Sequence, residues 1–398
     1  MFKRTIENEL AIYLSEFPAV TLVGARQTGK TTTARKVAES LGNQAVYFDL
    51  ERPSDRAKLI DAETLLTSLQ DKCVIIDEAQ TLPELFTVLR PLIDDNRRAG
   101  RFLLLGSVAP TLVRGISETL AGRIGQLELC TLNVVEIPEN NLQQHWFRGG
   151  YPDALQAKSD TAFLRWAQNY YLHFAERDVN FLMGESLSPT AVKKLWQMLA
   201  GINGTLWNTE TIARSLGLNR ITVNKYADFM EGAFLITRLQ PWSGNSGKRL
   251  VKSAKVYFKD TGVLHYLNKA HSYTDLLGNI CAGGSWEGFV LAQIKQLKPL
   301  DLSCYFYRTH HGAEADIVLV KGQTPVACIE VKLNNAPTVS RGFHEVIADL
   351  KTTQNFVITP GSDVYTAKGN ITVSGLLHFV KNILPTLGQT PLQSTVFN

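Results

Sequence analysis

The sequence predicts a multi-module α/β protein, and three stretches predict it. Near the amino terminus the run Gly24-Ala25-Arg26-Gln27-Thr28-Gly29-Lys30-Thr31 lies between an apolar run and a helical pattern. In the middle, Thr209 to Ala233 reads as two short helices around a Gly217-Leu218-Asn219 turn. In the last third, strand-like runs carry Asp316 and Glu330, with Lys332 two residues beyond the second acid. Strand and helix patterns alternate from residue 20 to about 135, which gives a parallel sheet covered on both faces.

At 398 residues the chain exceeds one ordinary core, and a prior of about one domain per 100–200 residues gives two to four. A hydrophobic content of 44% with 20% charged residues describes a packed globular chain, and a net charge of +4 permits a nucleic-acid partner without requiring one. The five cysteines (Cys73, Cys130, Cys281, Cys304, Cys328) are scattered, without CxxC spacing, and read as reduced residues of a cytoplasmic protein. Met1 to Leu14 is a mixed-charge stretch without a signal core, and no run approaches about 18 apolar residues, so neither secretion nor a membrane span is expected.

The amino-terminal run fits the phosphate-loop pattern GxxxxGK[ST] without mismatch. Val20 to Val23 before it reads as a buried strand, and Thr31 to Leu41 after it as a helix ended by Gly42. Such a loop turns backbone N–H groups onto an anion and adds the helix dipole. Gly24, Arg26, Gln27, Thr28, Gly29, Lys30, Thr31 and Thr32 are therefore expected to hold ATP, with Lys30 on the β and γ phosphates and the Thr31 hydroxyl on Mg²⁺. Ala45 to Leu50 reads as a second strand and Cys73 to Ile76 as a third, closed by Asp77-Glu78. Asp77 is expected to hold the Mg²⁺ shell and Glu78 to orient the attacking water.

The strand Arg101 to Leu105 ends in Gly106-Ser107, at the strand end where parallel sheets bind ligands, so Ser107 is expected to sense the γ-phosphate; a simple turn serine is the alternative. Arg114 and Arg123 follow. Arg123 is expected to reach a neighbouring subunit's phosphate, which implies a homo-oligomer, with a ring among its forms. The alternative is a surface arginine, or one paired with Glu118.

From Thr161 to Leu182, Phe163, Trp166, Tyr170, Phe174 and Val179 fall at helical spacing with Arg177-Asp178 near the end, a stripe read as packing. Ser188-Pro189 opens another helix, Thr190 to Ile202. The two helices 209–216 and 220–233 form a helix-turn-helix with Asn219 as N-cap and Ile221, Val223, Tyr226, Phe229 and Met230 as apolar positions. Arg220, Thr222, Asn224 and Lys225 would face outward, toward DNA. Phe234 to Leu239 and Lys255 to Phe258 read as strands joined by a loop from Ser243 that carries Lys248, Arg249 and Lys252, so the module is expected to be a winged helix. Docking against the core or a protein partner is the alternative.

After Gly283-Gly284 a helix, Ser285 to Leu297, is expected, with Glu287 in its first turn. Strands Cys304 to Arg308, Asp316 to Val320 and Val326 to Leu333 follow. The turn Lys321 to Pro325 makes the last two a hairpin, and if Val320 faces Val326, Asp316 lies opposite Glu330. Facing carboxylates require a cation, so Asp316 and Glu330 are expected to bind Mg²⁺, with Glu287 as an outer ligand and Lys332 orienting a metal-bound water. That is nuclease chemistry; retention of the fold for binding or docking is the alternative.

With these residues in view, the chain resembles a family of bacterial and archaeal ATPases that join an AAA-type module to a C-terminal domain of restriction-endonuclease-like fold. The resemblance rests on GARQTGKTT, CVIIDEAQ, LLLGS, ETLAGR, RGGYPDAL, ERDV, KSAKVYFKDTGVLHYL, GSWEGFV, YRTHHGAEADIVL and IEVK, and it covers nearly the whole length. It implies an ATP and Mg²⁺ site at Gly24 to Thr31 with Asp77 and Glu78, a winged helix and a PD-(D/E)xK-type core. Ala315 stands where family members often carry Val. The expected organisation is an AAA/RecA-like ATPase domain over 1–155, a helical connector over 156–186, a winged helix over 187–268, a nuclease-like α/β domain over 269–384 and a tail over 385–398. The function this organisation predicts is a DNA-associated ATPase of repair, recombination or defence, with catalytic Lys30, Glu78, Arg123 and Lys332. The alternative is a nucleotide-driven switch that holds a protein partner.

Overall fold

The structure is a computed structural model that describes residues 2–108, 120–179, 188–244 and 248–388. Arg114, Glu118, the side chains of Arg177 and Asp178, loop residues Asn245 to Gly247 and the tail beyond residue 388 lie outside the described residues. Two compact units divide the chain: Met1–Pro138 with Arg148–Lys194 and Ala213–Ile236, and Glu139–Phe147 with Leu195–Ile212 and Thr237–Asn398. These cuts differ from the boundaries expected at 155, 186 and 268.

The first unit is built on five strands, β1 (Ala19–Val23), β2 (Ala45–Asp49), β3 (Cys73–Asp77), β4 (Phe102–Gly106) and β5 (Ile124–Glu128). All pair in parallel, in the order β2-β3-β4-β1-β5. Successive side chains point to opposite faces and both faces are covered, so the central strands β1, β3 and β4 are buried at every position, whereas the edge strand β5 exposes Gln126. Cys73, Ile75, Leu103 and Leu105 pack with Leu10 and Ala34 from the helices Ile6–Glu16 and Lys30–Leu41. Val74, Ile76, Phe102 and Leu104 pack with Leu66, Leu85 and Leu89 from the helices Ala62–Ser68 and Leu85–Asp95. Because β4 lies between β1 and β3, Ser107 comes out between the phosphate loop and Asp77-Glu78.

In the same unit the helix Asp160–His173 starts on the Ser159 hydroxyl, which accepts from Ala162 N, and continues through a wider turn over Phe174–Asp178. Phe163, Tyr170 and Phe174 are buried, so the stripe is packing as expected. The helix Arg220–Gly232 is capped as expected by Asn219, whose Oδ1 accepts from Thr222 N at 2.8 Å. Ile221 departs from expectation, at 72% exposed. It precedes buried Val223 by two residues, roughly 200° round the helix, which turns it away from the packed face.

The second unit holds two sheets. The smaller, β6 (Thr205–Leu206), β7 (Ile236–Leu239) and β8 (Lys255–Phe258), has the order β6-β8-β7. The larger contains β9 (Leu302–Arg308), β10 (Glu314–Lys321), β11 (Thr324–Val331), β12 (Gln354–Thr359), β13 (Val364–Ala367) and β14 (Ile371–Gly375), ordered β13-β14-β12-β11-β10-β9. Strands β9 to β11 form an antiparallel meander, whereas β11, β12 and β14 run parallel. Phe343 and Val346 of the helix Arg341–Leu350 pack on one face with Tyr307, Val318, Cys328 and Val357.

The β10–β11 register is Ile317 with Ile329 and Val318 with Cys328, but Val320 pairs with Pro325 rather than Val326 because of a shift beside Leu319. The extra residue near the turn leaves the expected register intact farther along, where Asp316 continues toward Glu330. The helix expected at Ser285 begins earlier and spans Ala282–Leu297, which includes Gly283-Gly284. Gly284 is required by proximity: a Cβ there would stand 2.6 Å from Asn203 O. Residues expected to start the tail instead form a turn over Leu384–Thr386, with Leu384 and Leu387 buried.

A buried polar chain knits this unit together. Phe147 O accepts from His265 Nδ1, so Nε2 is the acceptor left for the Ser285 hydroxyl, which in turn accepts from Trp146 Nε1 at 3.0 Å. All five cysteines are free thiols, as expected. Among the described residues no helix is long and apolar enough to cross a membrane.

Candidate functional site

The phosphate loop follows β1. Gly24 has φ +154° and a Cβ on it would stand 2.3 Å from Leu129 O, so only glycine fits. Gln27 takes φ +63° at the loop tip and Gly29 φ +99° where the helix begins. Lys30 is buried and donates to Gly24 O at 2.9 Å and Ala25 O at 2.8 Å. Burial pushes its ammonium down to about 8, against the pull of Glu78 and Asp77. Thr28 donates to Ala25 O at 2.9 Å, and Thr32 lies exposed in the first turn of the helix.

Asp77 ends β3 and is buried. Its Oδ2 accepts from Thr31 Oγ1 at 2.7 Å and from the Tyr47 hydroxyl at 2.5 Å. Burial and the Asp77 hydrogen bond push the Tyr47 phenol up, so it stays a donor. A hydroxyl and a carboxylate converging beside a phosphate loop are the donor set that Mg²⁺ takes from protein when phosphates supply the rest. Thr31 and Asp77 therefore fit the ion.

Glu78, next in the chain, has φ +55°, a left-handed conformation that turns its side chain from the strand direction. Its Oε2 accepts from the Gln80 amide and from Ser107 Oγ at 3.3 Å, while Gln80 Nε2 also donates to Ser107 Oγ at 3.1 Å. The Gln80 amide oxygen is buried and has no hydrogen-bond partner among the described residues. Ser107 is thus joined to Glu78.

Three residues of the site escaped the sequence reading. Arg4 is buried and donates to Thr28 O at 2.7 Å, Cys130 O at 2.7 Å and Glu136 Oε2 at 3.1 Å, tying the loop to the irregular segment that follows β5. Trp166 Nε1 donates to Gln27 Oε1 at 3.0 Å, and its ring stacks on Tyr170 at 5.2 Å. Gln80 sat in the quoted DEAQ run without a role. Arg4 and Trp166 are far from the loop in sequence, and no local pattern marks them.

Arg123 forms a two-pronged pair with Asp94, Nε to Oδ1 at 2.7 Å and Nη2 to Oδ2 at 2.8 Å. Its partner is therefore Asp94 on the helix Leu85–Asp95.

The second constellation departs from expectation. Asp316 and Glu287 are indeed near one another, but Lys255 of β8 stands among them: its Nζ is 2.8 Å from Glu287 Oε1, 2.7 Å from Glu314 Oε1 and 3.5 Å from Asp316 Oδ1. The Tyr257 hydroxyl donates to the same Glu287 oxygen, and Asp316 Oδ2 accepts from Val331 N at 2.8 Å. Glu330 is paired with Lys332 at 2.8 Å and accepts from Ser340 N at 3.4 Å. Among the described residues no three His, Cys, Asp or Glu side chains converge as a metal-ligand group. Lys255 is thus the cation beside Glu287 and Asp316, whereas Glu330 has Lys332. Lys255 was legible in principle, as a lysine heading the apolar strand Lys-Val-Tyr-Phe needs a counter-ion.

Of the residues expected on DNA, Arg220, Lys225, Arg249 and Lys252 are exposed and Thr222 is half-buried at the N-terminus of its helix. Lys248 pairs with Asp349 at 2.6 Å. The loop that carries it is sewn to β9 on both sides: Trp242 N donates to Phe306 O at 2.7 Å, and Val251 N to Arg308 O at 3.0 Å. The loop expected as a wing joins β7 to β8, which are neighbours in the small sheet, and it also covers the open edge of β9, which would otherwise expose unpaired backbone groups.

Residues 16–138 match an AAA domain, residues 139–274 a domain of unknown function (DUF8612) and residues 282–379 another (DUF4143). Uncharacterized proteins of Mycobacterium tuberculosis (strain H37Rv) and Mycobacterium bovis are each 37% identical over 351 residues, covering 87% of this chain and 78% of theirs. Among solved structures, a Walker-type ATPase of Pyrococcus abyssi aligns at 16% identity over 67% of this chain and 96% of its own, with a TM-score of 0.44. A RuvB variant of Thermotoga maritima aligns at 17% over 58% and 88%, with a TM-score of 0.27.

Proposed function

We propose, for a chain that belongs to the same family as these two mycobacterial proteins and carries an AAA-type P-loop ATPase domain, Mg²⁺-dependent hydrolysis of ATP coupled to contact with DNA. One observation carries the hydrolytic half: Thr31 and Asp77 meet at 2.7 Å beside a loop whose lysine is already buried at its mouth. Backbone N–H groups of Gly24 to Thr31 hold the phosphates, and Lys30 exchanges its two loop carbonyls for phosphate oxygens. Mg²⁺ held by Thr31 and Asp77 supplies charge neutralisation on the phosphates. Glu78 accepts the proton of the attacking water. Ser107 and Gln80 set the Glu78 carboxylate, and the unpaired Gln80 oxygen is a second acceptor for that water.

Arg123 acts between subunits once it leaves Asp94, which makes oligomerisation part of the reading. The DNA half rests on the exposed Arg220, Lys225, Arg249 and Lys252. Cleavage of DNA is not part of it, since Lys332 is occupied by Glu330 and the acidic cluster by Lys255. That pairing also favours a second reading, in which the C-terminal domain is a docking module for a protein partner. ATP turnover of wild type and Lys30→Ala, with and without DNA, is the test. The proposal expects turnover lost in Lys30→Ala and wild-type turnover altered by DNA. Turnover surviving in the variant would overturn the site assignment, and DNA-independent turnover with no DNA binding would favour the docking reading.

A further inference from the structure

Every carboxylate of the C-terminal cluster already has its donors. Glu287 accepts from Lys255 and Tyr257, Glu314 from Lys255 with Arg308 at 3.4 Å, and Asp316 from Val331 N with the lysine at 3.5 Å. Lys255 itself is 3% exposed, and its ammonium also lies 5.5 Å from the centre of the Phe306 ring. The cluster is formed by three elements of one unit: β8 gives Lys255 and Tyr257, the helix Ala282–Leu297 gives Glu287, and β10 gives Glu314 and Asp316.

We propose that Lys255 is the resident cation of this cluster and closes it to divalent metal, so that the C-terminal domain is metal-independent. An ammonium has three N–H donors, and three carboxylates surround it. Its distances of 2.7 and 2.8 Å to Glu314 and Glu287 leave no place for a second cation bridging the same oxygens. Mg²⁺ asks for a near-octahedral oxygen shell at about 2.0–2.1 Å and sheds water reluctantly, whereas here the oxygens are already engaged by N–H and O–H groups. Neither side could be buried alone: a lone lysine would shed its proton, and three carboxylates would repel one another. The lysine is matched by three carboxylates, Glu287, Glu314 and Asp316. The same contacts tie β8 of the small sheet to β10 of the large one.

This inference does not rest on the ATPase reading, and its test is separate. Mn²⁺ binding to the nucleotide-free full chain is followed by electron paramagnetic resonance for wild type, Glu287→Gln, Asp316→Asn, Lys255→Ala and Lys255→Ala with Glu287→Gln. Wild type, Glu287→Gln and Asp316→Asn should bind equal amounts of Mn²⁺. Lys255→Ala should gain a site that the double variant loses. A wild-type Mn²⁺ site that disappears in Glu287→Gln or Asp316→Asn overturns the proposal, and so does a folded Lys255→Ala that gains none. If Lys255→Ala does not fold, the comparison of wild type with the two carboxylate variants decides.

Discussion

The residue scale shows two kinds of charged side chain, those that do chemistry and those that hold it in place. Arg4 belongs to the second kind. Its guanidinium joins Thr28 O, Cys130 O and the buried Glu136, so Arg4→Met leaves a carboxylate and two carbonyls without that donor. Breaking a buried pair from one side costs about 3 kcal/mol or more. The urea midpoint should fall accordingly, and KM for ATP should rise, because the loop loses the brace on its Thr28 carbonyl. A Met variant with unchanged stability and KM would remove Arg4 from this role.

His265 makes a pH prediction. Burial pushes its imidazole down to about 4, from an ordinary value near 6.5, although the bond to Phe147 O resists. The unfolded chain binds the proton more readily, so stability is full above pH about 6.5 and declines as pH falls toward 4. Between pH 7 and 5 this one group should remove about 2 kcal/mol, from the roughly 1.4 kcal/mol that each pKa unit represents. His265→Asn should flatten that part of the denaturation profile; an unchanged slope would assign it to other groups.

At the scale of elements, the phosphate loop illustrates how much was legible. Strand β1, the loop and the helix after it could be read because the pattern is local and each glycine has a backbone reason. Gly24→Ala brings a Cβ to 2.3 Å from Leu129 O on the neighbouring segment. Such overpacking costs about 1–3 kcal/mol, and the loop can relieve it only by moving off the phosphates. Nucleotide affinity should drop at least about tenfold by fluorescence of Trp166, which touches Gln27. Retained affinity would contradict the fit described for Gly24.

What escaped the sequence were pairings between distant segments. The hydrophobic pattern specifies which face of a strand is buried, and so Asp316 and Glu330 were correctly set on adjoining strands. It carries no information on which side chain of another element enters that space, and Lys255 enters it from β8. The loop after β7 was read as a wing from the strand patterns that flank it and from its basic residues, while its backbone bonds to β9 depend on an edge that only the assembled sheet presents. Ile221 was misplaced for a simpler reason, a helical phase taken from apolarity rather than from its neighbours.

At the scale of the whole molecule the question is what ATP hydrolysis drives. If DNA is the partner, log affinity should fall linearly with log salt concentration, about 0.9 per phosphate neutralised. Replacing Arg220, Lys225, Arg249 and Lys252 together by Gln should reduce that slope by about 3 to 4 while DNA-free ATP turnover persists. An unchanged slope would place the contacts elsewhere on the chain.

The central claim concerns Glu78, and it is tested most directly by measuring ATP binding and steady-state turnover side by side for wild type and Glu78→Gln. The variant keeps the loop, Lys30, Thr31 and Asp77, so ATP should bind about as in wild type while turnover falls by about 10²- to 10⁴-fold, the range of a lost general base. Turnover within a few-fold of wild type, or loss of binding and turnover together, would contradict the account of this site.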